Sequence, residues 1–184
     1  MERSGGARLR IIAGELGGRR IYAPPGQRLR PTAERTREAI FSMLGPLDGA
    51  SVLDLFCGTG ALGLEALSRG AATLTLVDAE IGPAAGNVEL LAVGDRCTLV
   101  EADVPAFLES GTERFDLVLC DPPYRLADRL GSQLDKLLKR RLAAGARVVV
   151  ESASDAPLEL TLPLERERRY GAARVRIYQA GGGR

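Results

Sequence analysis

The 184-residue chain contains no histidine. That excludes imidazole acid–base catalysis and most zinc sites, and no bound metal is expected. No apolar run is long enough to span a membrane. The arginine-rich stretch 1–26 lacks the apolar centre of a secretory signal. Cysteine is scarce: Cys57, Cys97 and Cys120 are odd in number, far apart, and lie within or beside apolar segments. They predict a reduced cytoplasmic chain whose thiols at 57 and 120 serve as packing groups. The net charge of +1 hides an asymmetry. Residues 1–38 hold nine arginines, no lysine and four glutamates, a net of +5, which leaves −4 on the remainder. Arginine suits bidentate contacts to phosphate; the competing reading is a solvated arm.

What the chain does have is organised around residues 52–63. The apolar run at 52–55 predicts a buried strand, broken by a Gly-x-Gly-x-x-Gly turn at Gly58, Gly60 and Gly63. A helical pattern opens behind it. Strand, glycine-rich loop and helix form the entry to a nucleotide-binding crevice, where glycine lets backbone approach a ligand closely. Asp78 ends the next apolar run and is placed for the two hydroxyls of a ribose. Asp54, just before the turn, suits a cationic ligand such as the α-ammonium of S-adenosylmethionine. A pyrophosphate would want a free helix N-terminus instead.

The second motif is sharper. An apolar strand at 115–120 ends in Asp121-Pro122-Pro123-Tyr124, the amino-methylase motif. The exocyclic amine of a nucleobase is a poor nucleophile, because its lone pair is delocalised into the ring. Acceptors for its hydrogens favour a pyramidal nitrogen and aim the lone pair. Asp121 offers a carboxylate and Pro122 a carbonyl, and prolines add no competing N–H. Tyr124 is placed to stack on a base turned out of its helix. Bland readings stand beside these: a rigid turn for Asp121–Tyr124, close packing for Gly63, and a helix N-cap for Asp103, which could also reach an adenine amino group.

Periodicity gives the frame. Two short strands, 9–14 and 19–22, flank a turn at Gly17-Gly18. A helix over 33–44 is capped by Thr32, with Ala33, Ile40, Phe41 and Leu44 on one apolar face and Arg35 and Arg37 elsewhere. From residue 51, strands at 51–55, 73–77, 97–100, 115–120 and 146–150 alternate with helices at 61–68, 83–92, 104–108 and one running from Leu126 to Leu142. The basic run Lys139-Arg140-Arg141 reads as a solvated helix end. Strands 166–170 and 173–178 close the chain as a hairpin at Gly171. Tyr22, Tyr170 and Tyr178 are expected to pack at strand edges. The termini, 1–7 and 181–183, read as disordered. This is an α/β chain with a mostly parallel sheet. It divides into a basic extension at 1–45, a Rossmann-like domain at 46–180 and a tail at 181–184, and a monomer is expected.

The chain resembles the bacterial RsmD-type methyltransferases over nearly its whole length. The residues that carry the resemblance are 8–14 with Arg19-Arg20, Arg30-Pro31-Thr32-Ala33-Glu34-Arg35-Thr36-Arg37-Glu38, the run 54–70, and Asp121–Tyr124. The resemblance implies the class I S-adenosylmethionine-dependent methyltransferase fold, with seven strands and the last antiparallel. It implies methylation of the N2 amine of a guanine in 16S ribosomal RNA, of the guanine-966 type, with the RNA held in a small-subunit assembly intermediate or subunit. The cofactor contacts it implies are Asp54, Phe56, Gly58, Gly60, Asp78, Ala79, Asp103, Val104 and Asp121, with catalysis at Asp121, Pro122, Pro123 and Tyr124. The charge asymmetry adds RNA contacts at Arg10, Arg19, Arg20, Arg30, Thr32, Arg35 and Arg37. Two departures stand out. Asp78 replaces the family's usual glutamate. The helix that follows carries Gly82-Pro83 and Gly86 and lacks the family's asparagine at its far end. The rival readings are an adenine-N6 methyltransferase acting on RNA or DNA, a nucleotide-dependent oxidoreductase, and a non-catalytic RNA-binding assembly factor.

Overall fold

The computed structural model describes residues 8–24 and 31–181, so Arg30 and the segment 1–7, expected to be disordered, lie outside it. In chain order the elements are β1 (Arg8–Arg10), β2 (Arg20–Tyr22), α1 (Pro31–Leu44), β3 (Ser51–Leu55), α2 (Ala61–Ser68), β4 (Thr73–Asp78) and α3 (Gly82–Leu91). They continue as β5 (Cys97–Glu101), α4 (Val104–Ser110), β6 (Phe115–Cys120), α5 (Tyr124–Arg140), β7 (Leu142–Ala153), β8 (Leu164–Tyr170) and β9 (Ala173–Gln179). No helix among the described residues is long and apolar enough to cross a membrane.

The main sheet has seven strands in the order β5-β4-β3-β6-β7-β9-β8. β3 to β7 pair in parallel, while β9 runs antiparallel between β7 and β8. Alternation along β3 explains why both faces are covered. Val52 joins a core with α2 and α3, whereas Leu53 and Leu55 join one with α4 and α5. A strand buried on both faces reads as an unbroken apolar run, as seen at 117–120, after the exposed Asp116.

Several element boundaries differ from those that periodicity predicts, each for a clear physical reason. α1 begins at Pro31, whose fixed φ favours the first helical turn, so Thr32 lies inside the helix and not at its cap. α3 forms despite its glycines, because Pro83 sits in the first turn and Ala84, Asn87, Val88 and Leu91 are buried. Leu142 does not end a helix; it opens β7 opposite Phe115. Arg141 is not a solvated charge. It is 1% exposed, stacks on Phe107 with its guanidinium carbon 4.6 Å from the ring centroid, and donates to the carbonyls of Glu113 and Phe107 at 2.7 and 3.0 Å.

The basic extension does not have a core of its own. Leu9, Ile11, Leu16, Ile21, Ile40, Phe41 and Leu44 share one cluster with Leu64, Leu67 and Leu74 across the expected boundary at 45/46. The polar anchor is Glu65, fully buried on α2. Its carboxylate accepts from the Ile12 and Ala13 N–H groups at 2.7 and 3.1 Å and from Arg69 Nε at 2.7 Å. Arg37 Nε stands 3.7 Å away. One turn on, Ser68 receives the Leu16 N–H on its hydroxyl and the Glu15 N–H on its carbonyl. Gly14 is required at this clamp: it has φ +84°, and a Cβ there would fall 1.8 Å from the Ser68 carbonyl oxygen.

Removing one partner of a buried ion pair strands the other in a low-dielectric interior. Glu65→Ala is therefore expected to lower unfolding free energy by about 3–5 kcal/mol in urea denaturation. Amide protection over 11–19 should be lost before that of β3.

Candidate active site

Strand order reverses between β3 and β6, so the crevice of an open α/β sheet lies outside the carboxyl ends of these two strands. Leu55 and Cys120 are register partners. The next residues, Phe56 and Asp121, therefore leave the sheet side by side, and the glycine turn and the Asp-Pro-Pro turn meet at one point. On the flanks, Asp78 pairs with Glu101 and Cys120 with Val150. Ala79 and Asp103 thus follow on one side, and Glu151 stands beside Asp121 on the other.

The glycine turn is built from unusual backbone. Gly58 and Gly60 have φ +53° and +75°, and Phe56 has φ +58° although it carries a side chain. A non-glycine residue in this region is uncommon, and such strain is concentrated at functional sites. The turn is closed by Gly60 N–H to the Cys57 carbonyl at 2.7 Å and opens α2. A Cβ on Gly60 would meet Leu76, Leu64 and Ala84, the nearest at 3.3 Å. This glycine keeps the turn packed on the core; it does not clear space on a ligand's side. At Gly63 a Cβ would come within 2.6 Å of Leu74 and 2.9 Å of Asp54 Oδ2.

Asp54 is 1% exposed, and its Oδ2 accepts the Gly63 N–H at 2.8 Å. Burial raises its pKa to about 7, the Gly63 N–H opposes the rise, and the charge of Asp78 adds to it. Asp78 pins the turn from the next strand: Oδ2 accepts from Gly58 N–H at 2.9 Å and Oδ1 from Glu80 N–H at 3.0 Å. Each carboxylate oxygen keeps a second lone pair for a hydroxyl. Asp103 caps α4, accepting from Ala106 N–H at 3.3 Å, with Val104 buried behind it. The N-cap reading is thus realised, and Asp103 itself is exposed at the crevice edge.

Asp121 keeps an exposed side at the mouth of the crevice, while protein atoms crowd its carboxyl between buried Cys120 and Pro122. Loss of hydration, then the charges of Glu151 and Asp54, hold its carboxyl well above the ordinary carboxylate range. Glu151 is also raised, by burial. Pro123 is exposed and precedes α5, which Tyr124 opens; the Tyr124 side chain lies outside the described residues. Cys57 and Cys120 are buried free thiols, and burial pushes both pKa values up, as expected of inert packing groups.

The expected RNA contacts divide. Arg10, Arg20 and Arg35 are exposed. Arg10 also pairs with Glu34 at 3.2 Å, tying the hairpin to α1. Arg37 is 4% exposed, faces Glu65 and donates to the Arg10 carbonyl at 2.6 Å. It is a structural cation, because desolvation beside a buried acid leaves it no face for a phosphate. Arg19 donates to the Leu91 and Leu90 carbonyls at 2.9 and 3.0 Å, and so closes the C-terminus of α3. Two residues of the site carry no signal in the motifs. Glu151 reads from sequence only as the end of a strand. Asn87, 2% exposed, bonds the Tyr22 N–H and carbonyl and the Thr59 carbonyl, all at 2.9 Å. A polar residue on the buried face of α3 is the one signal that points to it.

The strand order, with a glycine turn and an acid-Pro-Pro turn at the switch point, defines the class I S-adenosylmethionine-dependent methyltransferase fold. A family model described as Conserved hypothetical protein 95 matches residues 9–179. The ribosomal RNA small subunit methyltransferase D of Escherichia coli (strain K12) is 36% identical over 185 residues, 96% of this chain and 92% of that one. Its Haemophilus influenzae (strain Rd) counterpart is 33% identical, with 93% of each covered. A solved Escherichia coli structure, described as the methyltransferase yhhF, superposes with a TM-score of 0.83 at 34% identity, covering 96% of this chain and all of the other. The chain belongs to this RsmD-type family.

Because burial raises the Asp54 pKa, the folded state holds that proton more tightly than the unfolded chain does. The stability this lends is complete below the ordinary value of 3.8 and is lost as pH rises through about 7. Without a cationic ligand, Asp54→Asn should therefore flatten the pH dependence of Tm and stabilise the protein at pH 8, by up to roughly 4 kcal/mol for a shift of this size. Calorimetric unfolding from pH 4 to pH 8 checks it.

Proposed function

We propose that this chain transfers a methyl group from S-adenosylmethionine to the exocyclic N2 amine of a guanine in 16S ribosomal RNA. The observation that carries the reading is the meeting of the glycine turn and Asp121-Pro122-Pro123 at the β3/β6 switch point. The fit to the cofactor rests on charge. A buried carboxylate with a raised pKa at Asp54, a second acid at Asp78 and a third, also raised, at Asp121 line one edge of the sheet, and a cation there favours the charged forms of Asp54 and Asp121. Asp54, through the buried end of β3, would face the α-ammonium. Asp78 would hold the ribose, and Asp103 and Val104 would border the adenine. When bound, S-adenosylmethionine supplies a methyl group activated by a positively charged sulfur.

The protein's own contribution is alignment. The Asp121 carboxylate accepts a hydrogen bond from the amine, which keeps the nitrogen lone pair directed at the methyl carbon. Once the nitrogen carries the methyl it sheds a proton, and Asp121 is placed to take it. The Pro122 and Pro123 turn brings acceptors without N–H donors. The small-subunit ribosomal RNA target is supported by the relatives' names; the choice of guanine N2 rests on the motif resemblance. Small subunits lacking their modifications, incubated with labelled cofactor and mapped for the methylated base, test the whole reading. A label on adenine N6 would select the rival activity.

Asp121→Ala is expected to leave cofactor affinity near wild type and to slow single-turnover transfer by about 10²–10³. The reactive form of Asp121 is ionised and its pKa is raised, so the transfer rate should fall as pH drops through the neutral-to-acidic range. Glu151→Gln removes a like charge and should move that acid limb to lower pH.

RNA is held, on this reading, by the exposed arginines of the extension. Arg20→Glu with Arg35→Glu should weaken RNA binding and reduce the salt slope by about 0.7–0.9 log units per lost contact, with cofactor binding unchanged. Filter binding across a salt series measures both.

A further inference from the structure

The hairpin of β1 and β2 has two faces. Leu9 and Ile21 point inward and are buried. Arg10 and Arg20 are register partners on the opposite face, and Tyr22, two residues beyond Arg20, shares it. Tyr22 does not pack at a strand edge as its sequence position implies. It is 44% exposed, while Phe41, Phe115 and Tyr178 are buried. An aromatic ring held out of the core, on the same face as two exposed arginines, needs a reason.

Its backbone is fixed with unusual care. The Asn87 amide oxygen accepts the Tyr22 N–H, and the amide nitrogen donates to the Tyr22 carbonyl, both at 2.9 Å. The same nitrogen donates to the carbonyl of Thr59, inside the glycine turn, at 2.9 Å. One buried side chain therefore locks the base of the ring to the loop that borders the active site. Arg19, next to Arg20, adds a second tie through the carbonyls at the end of α3. The ring projects from a rigid base, so a planar group that meets it loses little by ordering it. Arg20 has no ion-pair partner among the described residues.

We propose that Tyr22 is a stacking platform for an unpaired RNA base next to the target nucleotide, with the neighbouring pair Arg20 and Arg10 taking backbone phosphate beside it. This rests on the RNA reading above and adds to it a contact made to a base face, where the arginines contact only the backbone. Stacking is tolerant of sequence because every base has a π-face. Tyr22 would thus select for unstacked nucleotides and not for a particular base, which suits a target presented in a loop or single strand.

The chain contains no tryptophan, so Tyr22→Trp creates a single fluorescent reporter at this position. The probes are an oligoadenylate of about ten nucleotides and an abasic oligonucleotide of the same length and charge. Binding of each is followed separately by anisotropy of an end label. The expected result is quenching of the tryptophan emission by the oligoadenylate and none by the abasic strand, although the abasic strand still binds through its phosphates. Tyr22→Ala should bind the oligoadenylate about tenfold more weakly with an unchanged salt slope, and Tyr22→Phe should match wild type. Oligoadenylate that binds without altering the emission, or a Tyr22→Ala variant of undiminished affinity, overturns the proposal and leaves the RNA reading standing. Failure of both strands to bind the wild-type protein removes the RNA reading, and this proposal with it.

Discussion

A carboxylate with no access to water decides where the N-terminal hairpin lies. A carboxylate as buried as Glu65 is costly unless donors surround it, and two of the donors it receives are backbone N–H groups of the 11–19 loop. Neither the loop nor Arg37 can leave without abandoning a buried acid. The same helix that carries Glu65 begins at the glycine turn and ends at Ser68. Eight residues of helix, about 12 Å, therefore separate the cofactor loop from the clamp that holds the hairpin. Asn87 closes the arrangement from the side of α3. Through Glu65, Ser68 and Asn87 the hairpin that carries the exposed Arg10 and Arg20 is tied to the helix and loop of the active site.

The site itself is built the opposite way. Its acids are placed close to one another: Asp54 is buried behind the turn, Asp78 lies beside it, and Asp121 stands next to Glu151. Nothing among the described side chains neutralises Asp54, whose burial raises its pKa to about 7. Such groups weaken the empty protein and strengthen its hold on a cation, a balance often found where function competes with stability. The backbone contributes in the same way, with Phe56 held at φ +58° at the end of β3.

Much of this arrangement is legible in the amino-acid sequence itself. Apolar runs of four to six residues place β3, β4 and β6, because strands buried on both faces leave no other pattern. Asp54, Asp78 and Asp121 stand out because each lies at the end of an apolar run, where the sheet delivers its residues to the crevice. What the sequence does not carry is the state of each arginine. Arg19 and Arg37 look like Arg20 and Arg35 in a tally of charges. Yet Arg19 and Arg37 are tied to the protein's own acceptors while Arg20 and Arg35 face solvent, and only the positions of Glu65 and of the α3 carbonyls separate them. Arg141 is deceptive for the same reason, since a basic run at a helix end hides which member turns inward to Phe107. Asn87 is silent because one polar residue in a glycine-bearing helix carries no motif; its meaning lies in the two loops it joins.

The clamp on the hairpin also fixes an order of events during synthesis. Ile12 and Ala13 bond an acid 53 and 52 positions later in the chain. At about 5–20 residues per second, the hairpin waits roughly 3–10 s before its anchor has even been polymerised. A two-stranded ribbon is at best marginally stable alone, so through that interval its arginines belong to an unstructured basic leader. Closure follows when α2 forms against β3 and β4, and the hairpin and the glycine turn then acquire their shapes together. The basic hairpin is made before the acid that anchors it, and its structure arrives only with the helix that begins at the glycine turn.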